Sequence, residues 1–143
     1  MALIQLQVTD DSVPSDWWKK LVRHFVKTGD PLEIRCWKEE SEIIRQASLY
    51  GTAAEDGFEI SVKGTVTPGL LEELLAEGQL EKGLFQQATR YFTIHTQHAS
   101  LHFWSEHYGT ELYIDGASSD DISFVSSVIS PYADCFSIHM EEI

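Results

Sequence analysis

Residues 93–109, T-I-H-T-Q-H-A-S-L-H-F-W-S-E-H-Y-G, decide how the C-terminal half of the chain is expected to fold. Apolar and polar residues alternate on both sides of the polar segment 97–100, which is typical of two strands joined by a hairpin. The alternation resumes at Leu112 and Ile114, after a turn at Tyr108 and Gly109. The stretch therefore predicts an antiparallel meander of three strands with one buried face.

A hairpin loop at 97–100 sets the strand register that we expect. It places Ile94 opposite Phe103 and Phe103 opposite Ile114, so these side chains point into the core. The opposite face then carries two neighbouring rows of side chains, one of Thr93, Trp104 and Tyr113 and one of His95, His102 and Asp115. The functional hypotheses below depend on these two rows.

The rest of the chain alternates strand patterns with helix patterns. Period-two alternation occurs near residues 4–8, 32–37, 58–63 and 136–140, with Phe58, Ile60 and Val62 on the expected buried side of the third run. Helical spacing occurs near residues 16–27, 39–50, 67–77 and 118–130. Residues 79–89 are ambiguous and could form a short helix or an irregular crossing. The order β-α-β-α-β-α-β-β-β-α-β predicts a single α+β domain over residues 1–143. We expect a mixed, mostly antiparallel sheet with helices mainly on one face, and a C-terminal meander followed by a helix and a strand.

The charge of the chain restricts its partners. There are 23 Asp and Glu residues against 10 Lys and Arg residues, which gives a formal net charge of −13. This balance argues against nucleic acid or an anionic membrane as a partner. Residues 91–143 contain eight acids and no Lys or Arg, whereas Lys19, Lys20, Arg23 and Lys27 lie on the polar side of the first predicted helix. The acidic C-terminal part is therefore expected to meet a basic partner.

The sequence also indicates a compartment. The N-terminus has no basic segment before its apolar residues, which alternate with polar ones, and no apolar run reaches membrane-spanning length. Cys36 and Cys135 form no C-x-x-C pair, so we expect two reduced thiols in a cytoplasmic protein. Phosphate loops, dinucleotide-binding turns and nucleophile elbows are missing from the sequence, and no cofactor is expected.

The first functional hypothesis is a non-catalytic acidic protein that binds a basic protein partner. Flat aromatic side chains surrounded by acids are typical of protein interfaces that associate quickly and tightly. The expected partner-binding residues are Trp104, Tyr113, Thr93, Glu106, Glu111 and Asp115. In size and charge the chain is similar to the bacterial immunity proteins, which neutralise cationic toxins, although it matches no motif of theirs.

The alternative hypothesis is a small metal-dependent or acid/base enzyme. Two histidines and a carboxylate on adjacent strands could bind Zn²⁺ or Fe²⁺ with positions left open for chemistry. His95, His102 and Asp115 are the candidate ligands. Three ligands in a straight row across strands are inconvenient, because the outer two must lean inward to reach one ion.

Overall fold

An antiparallel sheet of eight strands runs through the computed structural model, which describes residues 1–10, 12–76, 80–82 and 85–142, with the backbone alone at 80–82, 85 and 86. The described residues form ten strands, of which eight belong to this sheet. They are β1 (Ala2–Val8), β2 (Pro31–Trp37), β3 (Gly51–Asp56), β4 (Glu59–Thr65), β5 (Leu80–Lys82), β6 (Phe85–Gln87), β7 (Thr93–His98), β8 (Leu101–Glu106), β9 (Glu111–Ala117) and β10 (Phe136–Glu142). The strand order is β10-β1-β9-β8-β7-β2-β4-β3, and β5 pairs separately with β6. The expected α+β fold with a C-terminal meander is confirmed.

Helices connect the strands of this sheet. They are α1 (Asp16–Phe25), α2 (Ser41–Ala47), α3 (Pro68–Ala76) and α4 (Ser119–Ile129), with short 3₁₀ segments at Ser48–Tyr50, His107–Gly109 and Ser130–Cys135. No helix in the described ranges is long and apolar enough to cross a lipid bilayer.

Each of the four helices lies in a connection between two strands that run in the same direction but are not neighbours. The α1 connection passes from β1 to β2 across three strands, α2 from β2 to β3 across β4, α3 from β4 to β7 across β2, and α4 from β9 to β10 across β1. The positions between the two strands that a helix connects are occupied by other strands of the sheet. Every described pair of neighbouring strands is antiparallel. The prediction of a mixed sheet is wrong on this point.

The core lies between the helices and one face of the sheet. Ile34, Phe103 and Ile114 point from three strands into it and are 0% exposed. From α1, the fully buried Trp18 donates its Nε1–H to the hydroxyl oxygen of the equally buried Ser105, at 3.0 Å. The other helices contribute to the same cluster the side chains of Ala47, Leu70, Leu74, Val125, Val128 and Ile129. All four helices therefore pack on one side of the sheet.

The edge strand β3 is not predicted by the hydrophobic pattern. Its sequence G-T-A-A-E-D is made of small and charged residues and is mostly exposed. It pairs with β4, which begins at Glu59, so Phe58 lies in the turn and is 82% exposed. The prediction that Phe58 points into the core with Ile60 and Val62 is wrong, because the turn after Gly57 takes up that residue.

The turn between β8 and β9 is held by a glycine. Gly109 has a φ of 87°, which favours glycine because it has no Cβ. A Cβ at this position would lie 2.8 Å from Cβ of Ala88 and 3.0 Å from Nε1 of Trp18. The predicted turn at Tyr108 and Gly109 is thus confirmed, and it fits against the same tryptophan that anchors α1.

Candidate binding face

The sheet face that points away from the helices is the candidate site, and we call it the open face. Strand β8 shows its geometry, because Phe103 and Ser105 are buried while the alternate residues His102, Trp104 and Glu106 remain partly exposed. In the part of the chain that the structure describes, the helices bury their apolar side chains on the opposite side. The open face is defined by Glu33, Arg35, Thr93, His95, His102, Trp104, Glu106, Glu111, Tyr113 and Asp115.

The pairing of β8 with β9 agrees with the predicted register. Trp104 lies opposite Tyr113, and His102 lies opposite Asp115. All four side chains are partly exposed. The spacing of the sequence therefore located two aromatic and two ionisable groups on one accessible surface.

The pairing of β7 with β8 differs from the prediction by two residues. His95, rather than Thr93, lies opposite Trp104, so both predicted rows are wrong at β7. The loop consists of Ala99 and Ser100 alone, instead of residues 97–100, and Ala99 has the positive φ (52°) that two-residue hairpins use. Because side chains alternate with a period of two, this shift leaves each residue on its predicted face.

Three aromatic rings form a stacked cluster at the centre of the open face. His95 and His102 lie over Trp104 with ring centroids 4.5 and 5.1 Å away and ring planes within 6° and 11° of parallel. The two imidazoles are only 5.2 Å apart, and Nε2 of His95 lies 3.0 Å from Nδ1 of His102. Rings this close to each other lie on the same side of the indole, joined edge to edge by a hydrogen bond.

The cluster disfavours a positive charge on one of its histidines. Burial lowers the pKa of His95, the charge of His102 lowers it further, and Glu33 on β2 opposes both effects. A neutral His95 can share a single proton with His102 along their hydrogen bond. The cluster is therefore a flat surface in which burial disfavours the charged form of His95.

The geometry does not assemble the metal site considered above. His95 stands opposite Trp104 instead of joining His102 and Asp115 in one row, and its Nε2 is engaged by His102. Among the described residues, no three His, Cys, Asp or Glu side chains are arranged to hold a metal ion. The prediction of a three-ligand row is wrong because the loop between β7 and β8 is shorter than expected.

Acidic side chains form one rim of the cluster. Glu106 lies opposite Glu111 on the next strand, and both are partly exposed. The hydroxyl of Thr93 donates to Oε2 of Glu106 at 2.8 Å, and the hydroxyl of Tyr113 donates to Oε2 of Glu111 at 2.9 Å. Thr93 itself is only 6% exposed, so it positions Glu106 more than it offers surface of its own.

The two opposed carboxylates repel each other. Burial raises the pKa of Glu106, and the charges of Glu111 and Glu59 raise it further, while Thr93 and His107 act in the opposite direction. Like charges directly across strands are destabilising. A cation bound between Glu106 and Glu111 would reduce this repulsion. The rim is therefore suited to a basic partner.

A network around Arg35 was missed by the sequence reasoning. Its guanidinium contacts Glu33 at 3.0 Å, Glu59 at 2.9 Å and Asp56 at 2.8 Å. The alternation of Glu33 and Arg35 with the buried Leu32 and Ile34 was a usable signal, since it places both charged residues on the open face. Because Arg35 is engaged by three carboxylates, it does not offset the acids of β8 and β9.

No known family model, no curated protein and no solved structure matches the chain.

Proposed function

We propose that the chain is a non-catalytic acidic protein that binds a basic protein through its open face, as a bacterial immunity protein binds a cationic toxin. One observation carries the proposal: the helices leave one side of the sheet uncovered in the described structure, and Trp104 and Tyr113 lie side by side there. Aromatic side chains at the centre of an accessible surface are the usual anchors of protein interfaces.

The charges around these aromatics favour a cationic partner. Strands β7, β8 and β9 contain Glu106, Glu111 and Asp115 and no Lys or Arg. The whole chain carries a formal net charge of −13, which attracts a basic protein over several ångströms before contact. A like-charged partner would be repelled by the same field, so the charge also provides specificity.

The dimensions of the sheet suit an interface between two proteins. Eight strands give a width of about 34 Å, and strands of six or seven residues give a length of about 20 Å. The projected area is about 700 Å², close to the roughly 800 Å² that each partner buries in a standard interface.

Affinity capture tests the proposal. The tag-free protein, immobilised on a resin, should retain a basic protein from a lysate of its source and release it as salt is raised, because screening weakens exposed charge pairs. The variant E106K/E111K/D115K should bind the identified partner at least about tenfold more weakly, as should Trp104→Ala.

The matched control reverses three exposed acids away from the open face. The variant E39K/E42K/E72K changes the net charge by the same amount, and all three positions are exposed. It should keep the partner, with affinity within about threefold of the unmodified protein. Equal binding by E106K/E111K/D115K, or a captured partner without excess basic residues, would refute the proposal.

A further inference from the structure

A cation-lined groove lies between α1 and α4, on the side of the molecule opposite the open face. Lys20, Arg23 and Lys27 line it from α1 and the residues just after it, and Phe124 and Val128 line it from α4. The groove has a volume of about 560 Å³. Small-molecule sites typically enclose about 300–1,000 Å³, so the groove is large enough for an organic ligand.

The three cations of this groove have no carboxylate partner in the described residues. By contrast, Arg35 contacts three carboxylates and Lys38 lies 3.7 Å from Glu55. In a chain with 23 acids and only 10 Lys and Arg residues, three of the cations therefore lie on one groove with no carboxylate partner among the described residues. Repulsion between Lys20 and Arg23, which lie three residues apart on α1, is a cost that an anion would remove.

Helix capping explains only part of this arrangement. Arg23 lies in the last turn of α1, where a positive charge complements the helix dipole. Lys20 lies in the middle of the helix and gains little from that effect. The positive charge of Lys20 is not needed for solubility either, because the net charge of −13 already provides repulsion between molecules.

The walls of the groove are fixed relative to each other. His24 on α1 stacks on Phe124 of α4, with ring centroids 4.1 Å apart and planes 12° from parallel. Nε2 of His24 lies 2.9 Å from Oδ1 of Asp121, and the other carboxylate oxygen of Asp121 accepts the backbone N–H of Ser118. Asp121 is thus occupied by these two contacts, and the groove is held in shape before any ligand enters.

We propose that this groove binds a small phosphorylated ligand. Lys20, Arg23 and Lys27 would take the phosphoryl oxygens, since ammonium and guanidinium groups form strong charge-assisted hydrogen bonds with phosphate. Phe124 and Val128 would contact the organic part of the ligand. The site lies on the helix side, so it is independent of the protein-binding function assigned to the open face.

Titration with three probes tests this inference in the intact chain. ATP and inorganic tripolyphosphate should each produce saturable amide shifts in an NMR titration, largest around Lys20, Arg23 and Phe124, whereas adenosine should bind at least about tenfold more weakly than ATP. Absence of saturable shifts with both phosphates would overturn the proposal, and so would adenosine binding as tight as that of ATP.

Two variants of equal charge separate a site from a general charge effect. The variant K20Q/R23Q/K27Q should weaken ATP binding by at least about tenfold, while K38Q/R45Q/K63Q, at exposed positions elsewhere, should change it by no more than about twofold. Melting temperatures of both variants verify that they fold. Equal weakening by the two variants would overturn the proposal in favour of non-specific attraction.

Discussion

Replacing Ser105 by Ala tests which way strand β8 faces, on which the open face depends. In the structure the Ser105 hydroxyl accepts the indole N–H of Trp18 at 3.0 Å, and both side chains are 0% exposed. Residues 104 and 106 point the other way because side chains alternate along a strand. If Ser105 contacts α1, then Trp104 and Glu106 lie on the open face.

The expected loss follows from the burial of the donor. Ser105→Ala leaves the indole N–H of Trp18 buried without an acceptor, which costs about 1–3 kcal/mol of unfolding free energy. For a domain of this length, that loss lowers the melting temperature by roughly 3–9 °C. In the double variant W18F/S105A the second substitution should cost little, so the two changes should be coupled by about 1–2 kcal/mol.

Urea unfolding of the four proteins of this cycle gives the coupling energy directly. Ser137→Ala, at an exposed position on β10, is the control for removing a hydroxyl from a strand and should be within about 0.5 kcal/mol of the unmodified protein. A neutral Ser105→Ala together with no coupling to Trp18 would show that β8 faces the other way. The open face would then be wrong as well.

Three further substitutions test other parts of the structure. Gly109→Ala should destabilise the protein by about 2–4 kcal/mol in urea unfolding, because its φ of 87° and the close Ala88 both oppose a Cβ; a stable variant would contradict this turn. Thr93→Val removes a hydrogen bond that lowers the pKa of Glu106, so NMR titration should show that pKa rising further above 4.5, and a fall would refute the contact. Asp121→Ala should cost about 1 kcal/mol at neutral pH by removing its capping contact in α4. Burial raises the pKa of Asp121, but the hydrogen bonds from Ser118 and His24 outweigh this effect and hold the pKa below 3.8. The carboxylate of Asp121 therefore contributes its full stabilisation above pH 3.8. That stabilisation is lost as the pH falls through the lower pKa of the folded state. The difference between Asp121→Ala and the unmodified protein should therefore vanish in acid, and a constant difference would contradict the linkage.

The strands of the meander could be predicted from the sequence because their apolar residues alternate with polar ones. The alternation of Leu101 and Phe103 with His102 and Trp104 places each residue on one face without knowledge of any neighbour. The edge strand β3 was missed because its small, exposed residues have no buried face to produce such a pattern. The uniformly antiparallel pairing was also missed, since the order of distant strands is set by which helices cross which strands.

The partners across the first hairpin could not be predicted because the loop carries no turn signal. Two-residue hairpins are usually marked by glycine or asparagine, which accept a positive φ at low cost. Here Ala99 takes that position with a φ of 52°, and neither it nor Ser100 distinguishes a two-residue loop from a four-residue one. The stacking of His95 on Trp104 was lost from the prediction for this reason.

Burial explains why the sheet face of each residue was predicted correctly although the cross-strand neighbours of β7 were not. A one-residue slip of β8 would expose Phe103, at a cost of about 2–3 kcal/mol, and would turn the Glu106 carboxylate into the core at a cost of several more. Losses of that size approach the whole stability of a domain, roughly 5–15 kcal/mol, so the core enforces the face of every residue in the strand.

A two-residue slip changes none of these burials and alters only which side chains meet on the open face. The loop of Ala99 and Ser100 therefore determines that His95 stacks on Trp104, while burial of the core determines that both residues lie on the accessible face. A broad interface that uses the aromatic and acidic character of the whole face depends only on which face each residue occupies, and the core strongly enforces that. A metal site depends on which residues are cross-strand neighbours, since its ligands must occupy fixed neighbouring positions. The observed pairing of β7 with β8 does not supply those positions.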